Sequence, residues 1–465
     1  MSAVIKSNSI LKPDITGPAS SAPLPEGAAL FADFFGSRFV VKDAAGKITR
    51  STNLKDVLSF NRASKATCVG QMGLVAVIDE SVPAIDWNPT THECLGIRTE
   101  SASTNRIAWS KDFNKPESWM SSGVTLTAND ATSPDGNTTA TKLIETAGGT
   151  AVVHTLEAIT TVAAVTGSPY TFSIWAKANT GSVLQIAAQG AVASPQFCNF
   201  DLKAGRVGKS SPQVIQATIQ PFIDGWYRCT FTIMPQSSDA PKFTLVLTGG
   251  DNAASALPAY IAKTPGSIYL WGAQAEQRDG ASSYIPTDGV EGKRAADICT
   301  TPTGANYLSA AHGTVLLTAV QPISLQSISG KYNAVACGAV LDAGVPGGHI
   351  RFSWRSLNTN GLAQWALADV DGKSESLDIP SLALIPQAEQ SVVASYDKTS
   401  MTLRAFDGSD MYTKTVTGAL PQIKRLCVGR SYLGPENWFN GYIKKLIYWP
   451  QSLTEQEMEE AISYQ

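Results

Sequence analysis

Few of the side chains that could do chemistry stand at a spacing that would let them. Gly208-Lys209-Ser210 and Gly372-Lys373-Ser374 resemble the end of a phosphate-binding loop. Such a loop needs a further glycine five positions before the first, so that backbone amides can wrap the phosphates, and Lys203 and Leu367 stand there instead. Both read as turns. His92-Glu93 runs on into Cys94-Leu95-Gly96 with no second histidine at helical spacing, so a zincin ligand pair is missing. No G-x-S-x-G nucleophile elbow occurs. Glu375 and Asp378 are three residues apart, and on a strand side chains that far apart point to opposite faces, so a glycosidase carboxylate pair is not built there. Asp369 and Asp371 flank Val370 and could offer oxygens to calcium, but the rest of a ligand loop is lacking and a hairpin turn is the simpler reading. The sequence therefore predicts a non-enzymatic protein with no metal and no cofactor.

The aromatic residues are more informative. Neutral sugars are held by an aromatic ring under their apolar face and by Asp, Asn and Gln bonded to their hydroxyls, in a shallow preformed site. Among ten tryptophans, Trp175, Trp226, Trp271 and Trp449 lie inside strand-like patterns and are expected in the core. Trp438 follows the turn-rich run from Ser431 to Asn437, and Trp354 and Trp365 lie near Asn358 and Asn360. Trp354, Trp365, Asn358, Asn437 and Trp438 are thus the candidate glycan-binding residues.

These side chains must be positioned by β-structure. A chain of 465 residues exceeds what one hydrophobic core supports and implies two or three domains. A net charge of −3, with 16% charged residues and no long basic run, disfavours nucleic acid and acidic membrane surfaces as partners. No apolar run approaches membrane-spanning length, and the first twenty residues lack a secretory h-region, so assembly in a cytoplasm is expected. The seven cysteines are scattered without a C-x-x-C pair, which argues for buried thiols rather than disulfides or zinc.

Residues 1–29, rich in Pro, Gly, Ser and Ala toward their end, predict an extended attachment segment, and residues 30–100 a small β-rich attachment domain. From 101 to 298, short strands alternate with Gly, Pro, Asn and Asp turns as in a β-sandwich. YTFSIWAKA (170–178), WYRCTFTIM (226–234), KFTLVLTG (242–249) and SIYLWGAQAEQ (267–277) are the clearest strands, the first with one core face and one partly wet face. A second sandwich spans 305–465, with a hairpin turn at Asp407-Gly408. It ends in a short helix opened by a capping box, Thr454 with Glu457, and carrying Leu453, Met458, Ala461 and Ile462 on one side.

Several of these stretches resemble bacteriophage tail-fibre, head-fibre and appendage proteins built from jelly-roll and concanavalin A-like (laminin-G-like) modules. The blocks are SFNRASKATCVG (59–70), IDWNPTTHECLGIRTESASTN (85–105), GWYRCTFT (225–232), LWGAQAEQRDGASSYIPTDGVEGKRAADI (270–298) and WFNGYIKKLIYWPQSLTEQEM (438–458). The resemblance implies a mostly β chain, a jelly-roll followed by a concanavalin A-like sandwich. It also implies a virion location, attachment to other virion proteins through residues 1–100, a homotrimer, and binding of host-surface glycan during adsorption. A purely structural head or collar fibre, or an adaptor, is the alternative; a glycan depolymerase or esterase is a further one.

Overall fold

The computed structural model describes residues 24–160, 162–250, 252–320, 335–342, 348–355, 362–368, 374–383, 388–417, 421–430 and 438–464. It is mostly β, organised as antiparallel sheets, with one α-helix among the described residues.

The central part of the chain folds as a sandwich of two six-stranded sheets. One sheet runs Trp119–Ser122, His154–Ala158, Lys242–Leu247, Val183–Gln189, Gln196–Asp201, Arg206–Ser210; the other runs Val124–Ala131, Ala140–Glu145, Ser267–Glu276, Tyr170–Ala178, Trp226–Ile233, Gln216–Pro221. Successive strands repeatedly switch sheets, as in a jelly roll. Leu156, Phe172, Ile174, Ile186, Phe200, Phe231, Phe243, Leu245 and Leu270 meet between the sheets. Each such side chain contributes roughly 1.5–3 kcal/mol by leaving water.

The strand Tyr170–Ala178 departs from the expected half-wet pattern. Thr171, Ser173 and Trp175 on its second face are also buried, because the hairpin Ala66–Val69/Val75–Ile78 and the 282–285 segment cover it. Trp175, Trp226, Trp271 and Tyr284 pack there with Val75.

The second sandwich faces a ten-stranded sheet with a seven-stranded one. Its register redraws the expected boundary at residue 100. Leu30–Asp33 pairs with Tyr442–Trp449, the hairpin partners Arg38–Lys42 and Ile48–Ser51 extend the same sheet, and Ser59–Asn61 joins the opposite sheet beside Ile298–Thr300. Residues 30–100 are therefore not a separate domain: their first strands complete the C-terminal core, and the remainder bridges the two sandwiches. The reason is hydrophobic, since Leu30, Ala32, Phe34, Leu54, Leu58 and Phe60 have no sheet-on-sheet partner of their own and bury against Val315, Leu317, Tyr396 and Leu446.

The helix Glu455–Ile462 is shorter than the roughly 12–15 residues at which isolated helices become marginally stable. It holds through its capping box, in which Thr454 accepts from the Glu457 amide and Glu457 from the Thr454 amide, and through Met458 and Ala461 buried against Trp449 and Phe406. Leu24 and Ala28 join that cluster, and the Trp449 indole donates to the Glu26 carbonyl at 3.0 Å. The Asp407-Gly408 turn is present, with Asp407 accepting from the amides of Ser409 and Asp410, both at 2.8 Å.

Candidate functional site

Arginine and carboxylate residues from distant blocks of the sequence converge between the two sandwiches. Asp297, fully buried, accepts from Arg62 (3.2 Å), Arg294 (2.5 Å) and the Glu100 amide (2.8 Å). Glu100 also meets Arg294 at 3.1 Å and Arg98 at 3.3 Å, and Arg98 meets Asp86 at 3.0 Å. Burial pushes the Glu100 carboxyl up, but Arg98, Arg294 and Arg278 outweigh it and hold it well below the usual range. Asp86 balances the other way, since its burial outweighs Arg98 and raises it to about 6. Glu276 accepts from Ser103, Ser282 and Gln274. The blocks R-A-S, L-G-I-R-T-E, W-G-A-Q-x-E and R-A-A-D are thus the parts of a joint, in which Arg62, Arg98 and Arg294 are set against Asp86, Glu100 and Asp297. Solvent has almost no access, which makes this a structural device and not a reaction centre.

Trp438 belongs to the same joint, which corrects its expected exposure. It is 7% exposed, its indole donates to the Asp297 carbonyl at 3.1 Å, and the Arg430 guanidinium lies 5.2 Å from the ring centre. The turn-rich run before it says nothing about where the chain goes next, and here it returns to the protein to satisfy the indole N–H. Trp354 and Trp365 are strand residues. They lie on neighbouring strands of the seven-stranded sheet, Trp354 opposite Ala336 and Ala363, Trp365 opposite Phe352 and Leu377. Asn358 and Asn437 lie outside the described residues, as do residues 1–23 and the hairpin turn expected at Asp369 to Gly372. Of the five candidates, Trp438 is enclosed in the joint, while Trp354 and Trp365 share the seven-stranded sheet.

An open cleft of about 390 Å³ at the edge of the jelly-roll sandwich has the composition sought. It is lined by Trp109, Lys111, Asp112, Asn129, Thr139 and Asp288, among others. Its position is fixed from below. Asn105, fully buried, donates to the carbonyls of Ala273 (3.1 Å) and Ile285 (2.9 Å) and accepts from the amides of Ile107 and Ala275 (both 3.1 Å), pinning the chain that leads to Trp109. Trp109 then bridges Asp288 through its backbone, Ser110 bonds to Thr287, and the Trp119 indole donates to the Trp109 carbonyl at 2.9 Å.

The opposite wall comes from a β-bulge. The strand Val124–Ala131 slips register between Thr127 and Ala131, and Asn129 takes a left-handed φ of 55°. Bulges of this kind re-aim side chains beside functional sites. The Trp109 ring is half-buried and faced by the Lys115 ammonium at 4.3 Å. Lys115 is also 3.7 Å from Asp112. Lys111 and Asp288 carry neither an ion pair nor a side-chain hydrogen bond among the described residues. A half-exposed indole, free charged groups, an amide and a hydroxyl on a rigid frame suit recognition of a hydroxylated ligand.

A second cleft, of about 280 Å³, is lined by Glu145, Gly181, Gly249, Gly250, Tyr260 and Lys263. Its Tyr260 is spoken for: the hydroxyl donates to Glu145 at 2.5 Å and the ring packs on His154 at 4.7 Å. Among the described residues no cluster of His, Cys, Asp and Glu could hold a metal ion, and no helix is long and apolar enough to cross a membrane. Six cysteines are buried and free, and burial pushes Cys68 up to about 12 and Cys94 to about 11, so they are poor nucleophiles.

Trp109 escaped the sequence reading because IAWSKDF has no strand period. The available signal was an indole in an aperiodic stretch flanked by Ser110, Lys111 and Asp112.

No protein-family model and no curated protein matches the sequence. Solved structures superpose on part of the chain. A Ruminococcus gnavus IT-sialidase CBM40 bound to alpha2,3 sialyllactose is 16% identical, covering 33% of this chain and 83% of its own, with a TM-score of 0.26. The NanB sialidase of Streptococcus pneumoniae is 18% identical over 33% of this chain and 24% of its own, at 0.27. The receptor-binding domain of a botulinum neurotoxin mosaic serotype C/D is 13% identical over 36% of this chain and 40% of its own, at 0.28. The sheet topology described above, not these partial superpositions, assigns the sandwiches.

Proposed function

We propose that the chain is a non-catalytic, glycan-binding appendage of a bacteriophage particle, holding its ligand in the Trp109 cleft. The observation that carries the reading is the pairing of a half-buried indole with free polar side chains on a backbone locked at Asn105 and Ser110. A preformed site of this kind loses little conformational entropy on binding. Single contacts would be weak, and several copies on one particle, a homotrimer by the resemblance, would raise avidity by roughly 10²–10⁴. Because residues 30–61 are consumed in the C-terminal sandwich, fastening to other virion proteins falls mainly to the first part of the chain, residues 1–29.

Burial of Trp438 favours a second reading, a structural fibre or adaptor that binds only other virion proteins. The two are separated by a glycan array probed with the full chain and with Trp109→Ala, both checked for equal melting temperature. Saturable binding that the folded variant loses supports the cleft. Retained binding removes the cleft from the account, and no binding by the folded parent favours the structural fibre. Release of reducing ends or acetate from any bound polysaccharide would contradict the non-catalytic assignment.

A further inference from the structure

Two residues that line the cleft, Trp109 and Asp112, carry a guide to its ligand. The Lys115 ammonium occupies a seat made by the Trp109 ring at 4.3 Å and the Asp112 carboxylate at 3.7 Å. A ring face beside a carboxylate captures cations, because the ring quadrupole and the formal negative charge both favour positive charge at the same point. Lys115 is a loose tenant. Its side chain is 36% exposed, and a flexible four-carbon stem can carry the head out to water at little cost.

A second carboxylate reinforces the sign of the seat. Asp288 lines the same cleft with its carboxylate unpaired, and its backbone is bridged to that of Trp109. An acidic sugar would meet both Asp112 and Asp288. Lys111, also free, offers N–H donors to ring and hydroxyl oxygens. If a ligand ammonium replaces that of Lys115, the charge within the seat is unchanged and the displaced lysine is solvated.

We propose that the Trp109 cleft binds saccharides that carry a primary ammonium, such as a glucosamine unit, with that ammonium taking the place of Lys115 between Trp109 and Asp112. This rests on the glycan-binding reading and names its ligand class.

The test is equilibrium binding of the full chain, by calorimetry, to a fully deacetylated chitosan tetramer and to the matched N-acetylated chitin tetramer, at a pH where the free amine is charged. The expected result is chitosan tighter by about tenfold, from the ring and carboxylate together. Asp112→Asn should lose most of that preference, read as the ratio of the two affinities. Lys115→Ala, which empties the seat, should tighten chitosan about two- to fivefold. Equal affinities, or tighter chitin, overturn the ammonium assignment and leave glycan binding standing. Binding of neither overturns it too, and the array comparison with Trp109→Ala then decides the broader reading independently.

Discussion

Replacing Asp297 by Asn should uncouple the two sandwiches. The change keeps the volume and removes one charge from a centre that contacts Arg62 at 3.2 Å, Arg294 at 2.5 Å and the Glu100 amide at 2.8 Å. Arg62 and Arg294 are 0% and 2% exposed, so neither guanidinium can turn to water for compensation. Breaking a buried pair from one side costs about 3–5 kcal/mol, because the abandoned charge stays desolvated. At roughly 2–4 °C per kcal/mol for a unit of 150–250 residues, the melting temperature should fall by about 6–20 °C. Asp297 also joins the sandwiches covalently and through Trp438, whose indole donates to its carbonyl. Differential scanning calorimetry of the intact chain should therefore resolve two transitions in the variant where the parent shows more cooperative melting. A variant that melts within about 1 kcal/mol of the parent, with an unchanged transition shape, would refute the claim that this centre ties the sandwiches together.

Three further expectations follow from single contacts. Gly96 has φ +98°, and a Cβ there would lie 2.2 Å from the Ile443 carbonyl oxygen, so Gly96→Ala should cost at least about 2 kcal/mol in chemical denaturation; a smaller loss would mean that the strand Cys94–Arg98 can shift freely. His349 is 2% exposed, and burial together with Arg351 lowers it to about 4. The folded state then refuses a proton that the unfolded chain accepts, so this stability is complete above pH ~6.5 and is lost on acidification toward pH ~4, by up to roughly 3 kcal/mol; His349→Gln should flatten that part of the urea-midpoint profile, and an unchanged slope would contradict the assignment. Thr454→Ala should remove about 1 kcal/mol by opening the cap of the C-terminal helix, read as a lower urea midpoint at constant m; no change would show that packing of Met458 alone sets the helix.

What the sequence determined by itself is what short-range physics dictates. Period-two alternation located Tyr170–Ala178, Trp226–Ile233 and Ser267–Glu276 to within a residue, because a strand's faces are set by its own pleat. Thr454 and Glu457 marked the helix start because a capping box is complete within four residues. The burial of Trp175, Trp226, Trp271 and Trp449 was legible from their place inside strand-like patterns, although the pleat alone put Trp175 on the face expected to be partly wet. Only the tertiary structure decided which sheet a strand would join and what would cover its second face. Leu30–Asp33 pairs with Tyr442–Trp449 from the other end of the chain, and nothing local to either segment encodes that register. Trp438 looked exposed from its neighbours and is enclosed by Arg430 and Asp297. Trp109 had no periodic setting and became half of a cleft through Asn129, Thr139 and Asp288, brought to it by a bulge and a backbone bridge. Side-chain exposure and the convergence of polar groups are properties of contacts between distant segments, so they exist only once the sheets have packed.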